Sequence, residues 1–351
     1  MNTKLFSLLE KYVIICVHWI IMTSAANDVF PTAEEFRKER WILATVLVTG
    51  ASGFIGKHCV KALLAKKHRV FAVDSTWANM DESDPNYTFT MCDITDKDAV
   101  CSIIEGNRID SIIHLANSVD NDFDSYVTDA ELKRAKITDK YIYECAAKND
   151  VKNFLLLSTT QIYGTPKGRE PIRETAPEKG SSNYVDLKLY SEKMLEKAFK
   201  KSDSVPVIAR VAPIYTAEYT QNLKDKVYDA KEDVAFIYND GLYGFSFCCL
   251  FNLLDFIKGI VNIPTGRYEG IYNVCDSEVI SAKEILDFER NHHRVGAVVQ
   301  RSPGAGISFN KAKARTDYRY FDPATTFNNW RIDNTKAKRI APMKWTLKTT
   351  K

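Results

Sequence analysis

The chain has 351 residues, 45% of them hydrophobic and 26% charged, with a formal net charge of +3. That balance excludes an acidic disordered chain and gives no global reason to expect nucleic acid as a partner. It leaves ample apolar material for one large α/β unit, or for a larger domain with a smaller companion.

The first element read from the amino terminus is Tyr12 to Met22, an apolar run that follows Lys4 and Lys11 and precedes Thr23, Ser24, Ala25 and Ala26. This is the order of a secretory signal, but the run is shorter than the roughly 20 apolar residues a bilayer span needs. A cleaved signal or membrane-surface anchor stands against an accessory helix or an over-long gene start, since a start at Met22 removes the segment. Residues 1–40 are read as an extension, with no stable membrane span.

Trp41 to Val48 is apolar, rich in β-branched residues, and stops at Thr49-Gly50, as a buried parallel strand feeding a turn does. Ile55 to Lys66 then has helical spacing, and Arg69 to Val73 makes a second strand ending at Asp74. Further strands are expected at Tyr87 to Met91, Ile109 to Leu115, Asn153 to Ser158 and Val205 to Val211. Helix-length segments, including Asp129 to Asn149 and Asn183 to Lys201, separate them. Strand alternating with helix means an α/β fold with a doubly wound parallel sheet of the Rossmann type. After about Pro213 the alternation weakens. Residues 41–212 are therefore read as a nucleotide-binding domain, and 213–351 mainly as a smaller substrate lobe with some segments returning to the sheet.

The turn after the first strand reads Gly50-Ala51-Ser52-Gly53-Phe54-Ile55-Gly56. Glycines at these offsets close the turn, admit a pyrophosphate to the backbone, and let the helix pack on the strand. Asp74 answers them from the end of the second strand, where a carboxylate accepts hydrogen bonds from ribose hydroxyls and repels a 2′-phosphate. That favours NAD over NADP, with Lys57 the only nearby basic residue arguing otherwise. The structural alternative is a glycine turn without a ligand.

Tyr184 and Lys188 stand four apart in a helical segment and share one face. An ammonium beside a phenol, whose ordinary pKa is about 10, favours the phenolate, so the Tyr can exchange a proton with a substrate hydroxyl. A Tyr-Lys pair at this spacing is common by chance. Its order supports it here, because it follows a strand ending in Ser158-Thr159-Thr160-Gln161-Ile162-Tyr163-Gly164, where Thr159 can hold the substrate oxygen.

Taken together, Thr49 to Gly56, Asp74, Asp93-Ile94, Ile112 to Asn117, the Ser158 to Gly164 run, Tyr184 to Lys188 with Glu192, Arg210 to Tyr215, Gly270 to Val274 and Asp333 to Ala337 resemble the NAD-dependent epimerase/dehydratase family, the extended short-chain dehydrogenases. The resemblance covers nearly everything from Val46 to Trp345. It implies Tyr184 as acid/base, Lys188 on the nicotinamide ribose, and Thr159 completing the triad. Gly50, Gly53, Phe54, Ile55, Gly56 and Asp74 would hold the cofactor, with Asp93 and Ile94 near the adenine and Leu115 and Ala116 beneath the phosphate-ribose portion. The implied chemistry is hydride transfer at a carbinol carbon of a sugar, for which a nucleotide sugar is the expected substrate. A homodimer through a helix pair is likewise an expectation of the resemblance alone.

The pattern also breaks. Thr160 and Gln161 stand where the family's dehydratases and decarboxylases carry an acidic residue, which favours epimerisation or simple redox. Ala135 and Pro213 replace two Asn residues, and Phe245 and Pro323 fall near two Arg residues that usually clamp a diphosphate. From His292 onward thirteen Lys and Arg face only Asp317, Asp322 and Asp333. Arg301, Arg315 and Arg319 are candidate replacement clamps, set against plain surface charge.

The eight cysteines show no CxxC spacing, so free thiols in a reducing, cytoplasmic compartment are expected. His292-His293 lacks partners at metal spacing, and no metal is expected. Asn86-Tyr87-Thr88 is a formal glycosylation sequon without meaning in a cytosolic chain. Two other classes stay open: a non-catalytic NAD-binding regulator or scaffold, favoured by the eroded substrate positions, and a nucleic-acid binder, for which only the basic tail speaks.

Overall fold

Seven parallel strands form the central sheet, in the spatial order β12-β6-β5-β4-β1-β2-β3. They are β1 (Thr45–Thr49), β2 (Arg69–Asp74), β3 (Tyr87–Met91), β4 (Ser111–His114), β5 (Asn153–Thr159), β6 (Val205–Val211) and β12 (Gly270–Val274). This is a computed structural model, and it describes residues 43–77, 80–116, 128–164, 170–179, 182–229, 233–262, 270–301 and 331–350. The extension 1–40, Asn117, Arg315, Arg319 and Pro323 lie outside the described residues.

The strand order runs outward in both directions from β1, so the chain reverses course between β1 and β4. That reversal opens a crevice at the carboxyl ends of the two strands, the usual ligand position in such sheets. Pairing of β1 with β2 starts at Thr45↔Arg69. Of the apolar run expected from Trp41, Trp41 and Ile42 lie outside the described residues, and among the described ones strand begins at Thr45.

The linking helices are α1 (Phe54–Leu64), α2 (Lys97–Gly106), α3 (Asp129–Lys148) and α4 (Asn183–Phe199). α3 starts at a capping box in which Thr128 and Glu131 satisfy each other's backbone N–H. Ser182 caps α4 by accepting from Val185 N. Strand side chains alternate between the two faces. Leu47, Phe71, Ile112, Phe154 and Leu156 form one core with Ile142, Tyr143 and Leu195 of α3 and α4. α1 covers the other face together with α6 (Leu250–Asn262).

The remaining strands are short: β7 (Ile214–Tyr215), β8 (Tyr228–Asp229), β9 (Val234–Tyr238), β10 (Gly244–Phe245), β11 (Cys248–Cys249), β13 (Ile280–Ser281) and β14 (Val298–Arg301). With α5 (Gln221–Lys224) and α7 (Ala282–Asn291) they surround a second core of Tyr215, Phe236, Tyr243, Phe245, Phe247 and Leu286. The last element is α8 (Thr335–Lys338). Among the described residues no helix is long and apolar enough to cross a membrane.

Candidate active site

The glycine turn sits at the crevice between β1 and β4. Gly50 has φ of 70°, a left-handed conformation that disfavours side chains, and a Cβ there would lie 2.7 Å from Ala116 N. A Cβ on Gly56 would lie 2.0 Å from Gly50 O. Backbone thus approaches backbone on both sides of the loop. α1 opens at Gly53 with no side-chain cap and no acidic residue in its first turn, which leaves its positive end available to an anion. The ring of Phe54 packs on Tyr219, centroids 4.6 Å apart, at the mouth of the loop.

Asp74 lies on the loop's shoulder. Its Oδ2 accepts from Ser52 N at 3.0 Å, and its Oδ1 accepts from the backbone N (3.0 Å) and hydroxyl (3.1 Å) of Thr76. Three of four acceptor positions are filled and one remains. Leu115 N and Ala116 N donate to Thr49 O (3.3 Å) and Thr49 Oγ1 (3.2 Å), which holds this pair against Gly50. Asp93 is placed on the exposed loop after β3. Its Oδ1 accepts from Thr95 N and Oγ1, both at 2.8 Å, and those bonds hold its carboxyl below the usual range. Ile94 beside it is buried, its carbonyl accepting from the Tyr141 hydroxyl.

Thr159 ends β5, buried, and its Oγ1 accepts from Gln161 N at 3.2 Å to start the 3-10 turn Thr160–Tyr163. Lys188 Nζ donates to Leu157 O at 3.0 Å and lies 5.6 Å from the centroid of the Tyr184 ring. Leu157 is two residues before Thr159 on the same strand, so Lys188 ties the helix bearing Tyr184 to the strand bearing Thr159. Tyr184 itself leans on Ala135 and Leu187. The two groups of site residues share the carboxyl edge of the sheet, separated by β4.

Beneath them lies a cluster whose partnership the sequence did not reveal. Arg210, 2% exposed, donates through Nε and Nη2 to both carboxylate oxygens of Glu192, through Nη2 to Glu178, and through Nη1 to Tyr163 Oη and Glu174 O. Ser158 also donates to Glu192, and Tyr163 donates to Asn273 at 2.7 Å. The sequence signals were a charge inside the apolar run Val205 to Val211 and the places of Glu192 and Arg210 in the family resemblance, neither of which paired them.

Phe245, at an expected diphosphate-clamp position, and Arg301, a candidate replacement, are engaged elsewhere, as is Arg294 of the basic tail. Phe245 is buried against Tyr243 and Phe247. Arg301 pairs with Asp229 at 3.0 Å and covers the Phe236 ring, and Arg294 donates to Ala217 O and Thr220 Oγ1. His292 ends α7, its Nδ1 2.8 Å from Phe288 O. The seven described cysteines are free.

Residues 46–231 match the model of the NAD dependent epimerase/dehydratase family. The chain belongs to that family. Among its relatives are UDP-glucose 4-epimerase uge1 of Schizosaccharomyces pombe, 29% identical over 46% of this chain and 48% of that one, and UDP-glucose 4-epimerase of Lacticaseibacillus casei, 30% identical over 43% and 46%. The chain thus spans about half the length of the curated relatives it matches. Among solved structures, a UDP-glucuronic acid 4-epimerase from Bacillus cereus in complex with NAD superposes with a TM-score of 0.61 at 21% identity, covering 87% of this chain and 95% of that one. That likeness establishes the shared fold of this family member.

Proposed function

We propose that this chain is an NAD-dependent epimerase or dehydrogenase acting on a carbinol carbon of a nucleotide sugar. The observation that carries the reading is Lys188, fixed to Leu157 O and set beside Tyr184 at the end of the strand that holds Thr159. The glycine cradle, where side chains would clash, and the uncapped start of α1 fit a dinucleotide pyrophosphate. The last acceptor position of Asp74 suits a ribose hydroxyl, and its charge repels a 2′-phosphate. When bound, NAD supplies the hydride acceptor and donor.

In this reading Thr159 orients the substrate oxygen and Tyr184 takes and returns its proton. Lys188 holds the ribose and lowers the cost of the phenolate. Thr160 and Gln161 offer no carboxylate for a following elimination, so epimerisation or simple redox is favoured. Residues 41–212 serve the cofactor and 213–351 mainly the substrate. The free thiols fit a reducing, cytoplasmic setting, and a homodimer is the assembly to test.

The test is a screen of UDP- and dTDP-sugars for turnover, with Tyr184→Phe beside the wild type. General acid/base loss lowers turnover by about 10²- to 10⁴-fold, with NADH binding retained. Undiminished activity in the variant would sink the mechanism. The buried Phe245 and the engaged Arg301 favour a second reading, a non-catalytic NAD-binding protein. NADH binding without turnover of any nucleotide sugar supports it.

A further inference from the structure

Four buried polar side chains outside the reacting groups form a continuous series of polar contacts between the cofactor edge and the helix bearing Tyr184, hydrogen-bonded at both ends and joined in the middle by a longer His114–Asp139 contact. Thr49, His114, Asp139 and Ser191 come from β1, β4, α3 and α4, and all are buried. Thr49 Oγ1 accepts from Ala116 N at 3.2 Å and lies 2.9 Å from His114 Nδ1. His114 Nε2 lies 3.5 Å from Asp139 Oδ1, and Ser191 donates its hydroxyl to Asp139 Oδ2. The aromatic rings of Tyr143 and Phe154 flank the imidazole, each 5.9 Å away between centroids.

The donors and acceptors allow a consistent ordering. With the Ala116 amide on one lone pair, the Thr49 hydroxyl points its proton at His114 Nδ1. The imidazole then carries its own proton on Nε2, aimed at Asp139, whose other oxygen takes the Ser191 proton. Each contact favours one orientation of the next group. One end of the chain is the amide that presses Ala116 against Gly50. At the other end Ser191 follows Tyr184 and Lys188 at seven and three residues along α4, on the same face of the helix.

Burying four polar side chains is costly unless they are mutually satisfied. Apart from the buried Tyr143 hydroxyl beside Asp139 and Ser191, the adjoining core is aliphatic and aromatic, so the fold gains no solvation from keeping them. We propose that Thr49, His114, Asp139 and Ser191 are positioning residues that set the floor of the dinucleotide site and couple it to the placement of α4. The inference rests on the NAD reading above and goes beyond it, because none of the four touches the reacting atoms.

The experiment combines NADH titration by fluorescence with amide hydrogen exchange of the cofactor-free protein. Thr49→Val keeps the shape but removes the acceptor for Ala116 N. It is expected to weaken NADH by about tenfold, the value of one buried hydrogen bond, and to speed exchange of the Ala116 amide. Thr49→Ser restores both. Ser191→Ala, at the far end, is expected to weaken NADH and to be non-additive with Thr49→Val, the double variant binding no worse than Thr49→Val alone.

Multiplied losses in the double variant overturn the coupling, as does unchanged NADH affinity in Thr49→Val. A wild type that fails to bind NADH overturns the cofactor reading and the role built on it. Binding by the wild type that survives Thr49→Val overturns the positioning role alone.

Discussion

Asp74 carries more of the cofactor argument than the glycines beside it. Its carboxylate already accepts from Ser52 and Thr76, which turn it toward the loop and leave one acceptor position. In the proposed site that position meets a ribose hydroxyl, and a 2′-phosphate there brings two negative charges onto an ionised carboxylate. Asp74→Ala is expected to lower the ratio of NADPH to NADH dissociation constants by about tenfold or more, equivalent to roughly 1.4 kcal/mol. Fluorescence titration with both cofactors checks it, and an unchanged ratio places the ribose contact elsewhere. Asp74 and the glycines were legible because their meaning lies in short offsets along one strand-turn-helix unit. Phe54 was legible only as a loop position, since its partner Tyr219 is far along the chain.

At the scale of elements, the sequence told which segments are strands and helices better than it told what pins them together. Period-two and period-3.6 patterns, glycine turns and Ser or Thr caps are local signals. The bonds joining β1 to β4, or α3 to α4, are not: Thr49 and His114 are 65 residues apart, and Asp139 and Ser191 are 52 apart. β12 shows the same limit. Its Gly270–Val274 run enters the sheet beside β6 in register with Val207–Val211, although the alternation of strand and helix fades long before it.

Arg210 is an inter-element pin, joining β6 to Glu192 of α4 and to the turn after β5. Removing it leaves the Glu192 carboxylate buried without its cation. Arg210→Met is expected to cost about 3–5 kcal/mol, and adding Glu192→Met should recover part of that loss. Urea unfolding of the two variants tests this, and a single-variant loss below about 1 kcal/mol would mean that the cluster is solvated and expendable.

At the scale of the whole molecule, Asp276 joins parts that sequence separates widely. It follows β12, accepts from Tyr215 Oη at 2.7 Å, Cys249 N at 2.8 Å and Asn252 Nδ2 at 2.7 Å, and Asn252 in turn donates to Trp345 O. Burial raises its pKa from 3.8 to about 6, against the opposing pull of those three donors. A folded-state pKa above the unfolded one means that the folded protein binds the proton more tightly. Stability contributed by Asp276 is therefore lowest above pH 6, rises as pH falls through 6, and levels off below about 4, where the unfolded chain is protonated too. Between pH 7 and pH 5 the gain is about 1.3 kcal/mol by proton linkage. Exposed or ion-paired carboxylates such as Asp333, where burial pushes the pKa up but the bonds from Thr335 and the charge of Arg173 together outweigh it and hold it below its ordinary value, act in the opposite sense, so the total curve does not isolate Asp276. Comparison with Asp276→Asn does: the amide oxygen keeps the Cys249 and Asn252 bonds, and the Tyr215 hydroxyl can turn to accept from the amide nitrogen. The difference in unfolding free energy between wild type and variant, measured in urea, is expected to shift by that amount in favour of the wild type from pH 7 to pH 5. A difference that stays flat over this range would place the carboxyl in contact with water and remove the link it makes between the second core and the end of the sheet.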